Sequence, residues 1–184
     1  MQNDVVLAPG AGKLVWLYDL GVRFMISGAQ TDGRFALVEH PIRPKALASP
    51  LHTHADEDEI SYVLEGEVGM QIGERELRAG LGTLIFKPRG MPHAFWNPGD
   101  APARMLELIS PAGFERYFEE AADLYASGTR DAELAAAELT CSNMTAYDSE
   151  GAGRPDRPRL QGVSPSGATP HPGFPAPAAQ PVAV

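Results

Sequence analysis

Seven short segments rich in β-branched and aromatic residues fill most of the first 110 positions: LVWLY (14–18), VRFMIS (22–27), RFALVEH (34–40), ISYVLEG (60–66), EVGMQIG (67–73), TLIFKP (83–88) and RMLELIS (104–110). Turn signals separate them, among them Thr31-Asp32-Gly33, Gly73-Glu74, Gly80-Leu81-Gly82 and Asn97-Pro98-Gly99-Asp100. Many short strands at this spacing predict an all-β sandwich or barrel rather than βαβ units. A chain of 184 residues fits one domain with a real core, and its 43% hydrophobic and 21% charged residues are ordinary for such a domain.

The texture changes at Ser110-Pro111, where a capping serine before a proline predicts a helix start. Phe114, Tyr117, Phe118, Ala121 and Tyr125 then recur at helical spacing, and Gly128 stops the run. A second helix is expected over about 129 to 144, with Leu134, Ala137, Cys141 and Met144 on one stripe. The two helices either pack on the outside of the barrel or form a lid over its mouth. Residues 151–184 contain eight prolines and few large apolar side chains. Such a segment cannot bury enough surface to offset chain entropy, so a disordered tail is expected from about residue 147. His171 in that tail is not expected to be a ligand.

A formal charge of −9 disfavours nucleic acid and anionic membrane surfaces as partners. No apolar run reaches the roughly 20 residues of a spanning helix, and MQNDVVLAPG lacks the basic and apolar regions of a secretory signal. The lone cysteine, Cys141, excludes an internal disulfide framework and is read as a buried residue rather than a nucleophile. A soluble cytoplasmic protein is the expectation.

SPLHTHADEDEISYVLEG (49–66) concentrates the chemistry. His52 and His54 are two apart, so on a strand they project from one face, and a hairpin through the acidic loop would return Glu59 beside them. Two imidazoles and a carboxylate form a common donor set for divalent transition metals, although a polar loop accounts for the same pattern taken alone. Asp56, Glu57 and Asp58 are read as a solvated loop face, with Asp58 the rival to Glu59 as carboxylate donor. His40, beside Pro41 at a strand end, is read as structural or exposed.

A second stretch, GTLIFKPRGMPHAFWN (82–97), completes the pattern. It runs Gly82, five residues, Pro88, one, Gly90, two, His93, three, Asn97; the first runs His52, one, His54, four, Glu59, six, Gly66. Together they resemble the two signature motifs of the cupin superfamily over roughly residues 34 to 110, with Ala46 where glycine is usual. The resemblance implies a double-stranded β-helix (jelly-roll) barrel over 1–110 with motifs at 46–66 and 82–97, and one or two helices over 111–146 packing on it. It also implies one divalent transition metal ion, iron, nickel, manganese, copper or zinc, held by His52, His54, Glu59 and His93. Pro88 and Gly90 would turn the chain to aim His93 inward. Ser61 or Val63 would share the inward face of Glu59.

Phe95, Phe86, Met70 and Met105 are candidates to line a substrate pocket, while Trp16, Met25 and Phe35 read mainly as core. Few charged residues fall on these faces, which favours an apolar or aromatic small molecule over a sugar phosphate. KPRGMPHAFWN followed by SPAGFERYFEE resembles bacterial quercetin-dioxygenase-like cupins. That resemblance implies a dioxygenase in which Glu59 is both ligand and general base. A non-redox cyclase or isomerase, or a barrel that only binds its ligand, is the alternative. A homodimer is compatible with either.

Overall fold

The computed structural model describes residues 6–126 and 144–146 of the chain. Two antiparallel sheets face each other. One has the order β1 (Leu14–Leu17), β2 (Leu20–Ile26), β3 (Ala36–Ile42), β10 (Ala103–Ser110), β5 (Asp58–Glu65), β8 (Leu84–Lys87). The other has the order β11 (Met144–Ala146), β4 (Leu47–His54), β9 (His93–Trp96), β6 (Glu67–Ile72), β7 (Arg75–Gly80). Strands distant in sequence are neighbours in both sheets, as β3–β10–β5–β8 and β4–β9–β6 show, which is the jelly-roll form of the expected barrel. The strands expected from composition are present, with ends shifted by a few residues.

Alternation decides what faces inward. Along β10, Ala103, Met105, Glu107 and Ile109 are buried while the residues between them are partly exposed. Along β5 the buried set is Glu59, Ser61 and Val63. The apolar members join Val22, Val38, Ile42, Val68, Met70 and Phe95 in one core between the sheets. Burying each of Met70, Met105 and Ile109 contributes about 1.5–3 kcal/mol. Packing at the β6–β9 contact is tight: a Cβ added to Gly69 would collide with the Trp96 indole, so glycine fits there best.

Two expectations need correction. The helix α1 spans Glu115–Ala126 and does not begin at Ser110. Ser110 ends β10 opposite Asp58, and its hydroxyl donates to the Arg34 carbonyl at 2.9 Å, so it is not free to cap. Glu115 instead accepts hydrogen bonds from the Gly113 and Gly28 amides, at 2.6 and 3.0 Å. Met144, expected on a helix, opens β11, whose three residues pair with Thr53 and the two histidines of β4. The remainder of that second helix, Cys141, His171 and the expected disordered tail lie outside the described residues. Among the described residues no helix is long and apolar enough to cross a membrane.

Candidate metal centre

His52 and His54 lie on β4, and His52 stands opposite His93 in the β4–β9 pair. The turn that delivers His93 is Pro88-Arg89-Gly90-Met91, closed by the Met91 amide on the Pro88 carbonyl at 3.1 Å. Gly90 adopts φ +72°, a left-handed value suited to glycine, and its amide donates to the His54 carbonyl at 2.7 Å. The second motif is thereby fastened to the first.

Glu59 arrives from the other sheet. The acidic stretch after His54 is not a hairpin: β4 and β5 belong to different sheets, so the carboxylate meets the imidazoles across the barrel. His52 Nε2 and His54 Nε2 are 3.1 Å apart, Glu59 Oε1 is 3.3 Å from His54 Nε2, and Glu59 Oε2 is 3.1 Å from His93 Nε2. One donor atom from each of these four residues falls within 4.8 Å of the others, and all four residues are buried.

The chemistry of these donors fits a metal ion. His93 Nδ1 donates to the Met91 carbonyl at 2.9 Å and His52 Nδ1 to the Pro50 carbonyl at 2.8 Å, which fixes the tautomer that leaves Nε2 with its lone pair. Burial pushes His52 down to about 3 and also lowers His93, so both are neutral ligands near pH 7. Burial works to raise Glu59, but the Lys87 ammonium, with help from His54 and His93, outweighs it and holds the carboxyl well below its usual range. Three imidazole nitrogens and one carboxylate converging on one point form a site for a borderline divalent ion.

Two residues near the centre, Glu57 and Phe86, are not where the sequence suggested. Glu57 is buried, 4% exposed, with Oε2 3.9 Å from His54 Nδ1, whereas Asp58 pairs with Arg89 at 2.8 Å on the surface. Phe86, expected in the pocket, is 53% exposed because β8 turns Ile85 and Lys87 inward and Leu84 and Phe86 outward. Met70 and Met105 are fully buried in the core. Phe95 is buried as well, and its ring lies 5.6 Å from Lys87 Nζ and 5.9 Å from His40. His40 is a buried structural residue: its Nδ1 donates to the Gly21 carbonyl at 3.0 Å, and burial lowers it to about 4. The entry to α1 brings aromatic rings to the centre, with Phe114, just before the helix, 4.4 Å from the His54 ring and stacked on Tyr117.

Lys87 and Glu107 were missed. Lys87 is opposite Glu59 in the β5–β8 pair, and its Nζ reaches Glu59 Oε2 at 2.7 Å and Glu107 Oε2 at 2.9 Å. Ser61, opposite Glu107, donates its hydroxyl to that carboxylate at 3.1 Å. Burial pushes Glu107 up to about 7 against the pull of Lys87. Burial also acts to lower Lys87, but Glu107 and Glu59 more than offset it and leave it raised. The inward face is therefore more charged than expected. The signal was present in the alternation: Lys87 and Glu107 each occupy an inward position next to Ile85 or between Met105 and Ile109.

Residues 39–109 match the family described as cupin domain. The tetracenomycin polyketide synthase protein TcmJ of Streptomyces glaucescens is 33% identical over 60 residues, 33% of this chain and 40% of that protein, so the chain spans less than half of that relative's length. The solved structure of the polyketide cyclase RemF from Streptomyces resistomycificus is 30% identical, with TM-score 0.50 over 57% of this chain and 78% of that one. A predicted oxalate decarboxylase from Thermotoga maritima, 19% identical, aligns with TM-score 0.54 over 58% of this chain and 99% of that one, which bears on the fold alone. The barrel that carries His52, His54, Glu59 and His93 is a cupin domain.

Proposed function

We propose that this barrel is a metal-dependent cyclase acting on an aromatic or polyketide-like small molecule. The observation that carries the reading is the likeness to the polyketide cyclase RemF, 30% identical over 57% of this chain. The likeness to TcmJ, a polyketide synthase protein, points the same way. These likenesses favour a cyclase over the quercetinase-like dioxygenase.

His52, His54, His93 and Glu59 would hold the ion. Bound there, it would supply a Lewis acid for a carbonyl oxygen. The chain's own groups do the rest. Glu59 takes a proton from the methylene between two carbonyls, the carbanion adds to a carbonyl carbon of the same molecule, that oxygen gains a proton, and loss of water completes the ring. No oxidant is consumed. Protons flanked by two carbonyls are acidic for carbon acids, so a carboxylate weakened as a base by Lys87 is adequate. Phe114, with Tyr117 stacked on it, offers an apolar wall against which a flat substrate can lie while water is kept from the centre.

The test is to load the purified protein with each candidate divalent ion and supply a poly-β-ketone, a phenolic anthrone and a flavonol while recording dioxygen. Ring closure without dioxygen uptake is expected. In Glu59→Gln, turnover per bound metal should then fall by about 10²–10⁴-fold, the range for loss of a general base. Dioxygen uptake with the flavonol would reinstate the dioxygenase, and metal binding with no turnover of any substrate would leave a binding barrel.

A further inference from the structure

A fully buried ammonium needs a reason. Lys87 is 1% exposed, among the largest wholly buried side chains of the barrel, at a position where methionine would fill the same space. Burying an ion pair against an apolar side chain of similar volume breaks even at best, so stability alone does not account for it. Its surroundings leave it no freedom. Glu107 grips Nζ at 2.9 Å from one side and Glu59 at 2.7 Å from the other. Ser61 holds both oxygens of Glu107 at 3.1 Å, and Phe95 closes over the ammonium at 5.6 Å.

Glu59 is thus engaged unequally. Its Oε2 meets Lys87 at 2.7 Å and lies 3.1 Å from His93 Nε2, while Oε1 faces His54 Nε2 at 3.3 Å. Resting on the metal-site reading above, we propose that Lys87, clamped by Glu107 and Ser61, determines which metal the barrel selects. By engaging Oε2 it restricts Glu59 to one-oxygen donation and places a positive charge beside the donor set. Both effects penalise hard ions such as manganese, which favour carboxylate and other oxygen donors in larger coordination shells. Both leave intact a set of three nitrogens and one oxygen, which suits four-coordinate zinc. Lys87 is a positioning residue here, acting through Glu59 rather than on substrate.

The experiment measures zinc and manganese dissociation constants of the metal-free protein by chelator competition, and reads their ratio. Because Lys87→Met strands two buried carboxylates and can fail to fold, Lys87→Met/Glu107→Gln is made beside it. The ratio should move toward manganese by about 10–100-fold, the usual scale for groups that orient a metal ligand. In a Glu59→Ala background the same substitutions should leave the ratio unchanged. An unchanged ratio in a folded, metal-binding variant overturns the proposal, and so does an equal shift when Glu59 is absent. Wild-type protein that binds neither ion would overturn the metal site itself, and the selectivity claim with it, a result distinct from the other two.

Discussion

The two sheets meet at one centre but bring opposite chemistry to it. From the five-stranded sheet come His52, His54 and His93, of which His52 and His93 are held neutral chiefly by burial and have Nδ1 fixed on a backbone carbonyl. The six-stranded sheet contributes Glu59, Lys87, Glu107 and Ser61 on three adjacent strands, linked by ion pairs and hydroxyl hydrogen bonds of 2.7 to 3.1 Å. One wall offers three imidazole lone pairs, and the other offers one carboxylate and sets the charge around it. Substitutions on the two walls should therefore fail differently.

The largest effect belongs to the imidazole wall. His52→Ala, His54→Ala and His93→Ala should each weaken metal binding by more than about 100-fold, beyond the loss caused by removing a group that only orients a ligand. The barrel should stay folded, because its core is built from other residues. Elemental analysis after dialysis against a weak chelator, with circular dichroism of the same samples, checks both halves. Metal at the wild-type level in any of the three would break the division between walls.

The four metal donors are legible because a motif is local. His52, His54 and Glu59 sit within eight positions, and Pro88 and Gly90 announce the turn before His93. The charged wall was opaque because its contacts are long-range. Glu107 lies 46 residues from Ser61 and meets it only through the β5–β10 register. Lys87 opposes Glu59 through the β5–β8 register in the same way. Strand composition predicted that β5, β8 and β10 exist but not which of them are neighbours. Phe86 shows the cost of guessing a face from residue type: a one-position change in alternation exchanges it with Lys87. Similarly β4 was hidden, since its proline, serine and two histidines do not read as a strand until β9 and β11 pair with it.

On the charged wall the largest effect should be on stability. Lys87→Met leaves Glu59 and Glu107 buried with their shared counter-ion gone, at a cost of about 3–5 kcal/mol in the metal-free protein. Lys87→Met/Glu107→Gln should recover much of that loss. Urea unfolding of the three proteins decides it, and equal stability of the single and double variants would mean that the clamp is not a unit.

A pH series sharpens the contrast by using a histidine outside the centre. Burial lowers His40 to about 4, well below the 6.5 of an unfolded histidine. Between those values the unfolded chain binds a proton that the folded one refuses, so stability is lost as pH falls through 6.5 toward 4. The loss from this residue reaches about 3 kcal/mol at the acid end. Glu107, raised to about 7, has the opposite slope: its contribution is present below 4.5 and fades as pH rises through 7. Comparing wild type with His40→Gln isolates the histidine, and the difference in unfolding free energy between the two should shrink as the pH is lowered. A constant difference would show that His40 binds its proton equally well in the folded and the unfolded chain.

The smallest effect is the cleanest control, because it changes the neighbour of Lys87 on the same strand. Phe86 points outward and is 53% exposed, while Lys87 beside it is 1% exposed. Phe86→Ser should therefore alter unfolding free energy by no more than about 0.5 kcal/mol, the range for exposed positions. Metal affinity and the zinc-to-manganese ratio should stay at the wild-type values. Phe86 also stands opposite Ile60 in the β5–β8 pair, so a small loss of cross-strand packing is the most the substitution can remove. If Phe86→Ser instead strips metal or destabilises the barrel as strongly as Lys87→Met, β8 is displaced by one residue. Phe86 would then face the interior, and the charged wall would have to be rebuilt without its lysine.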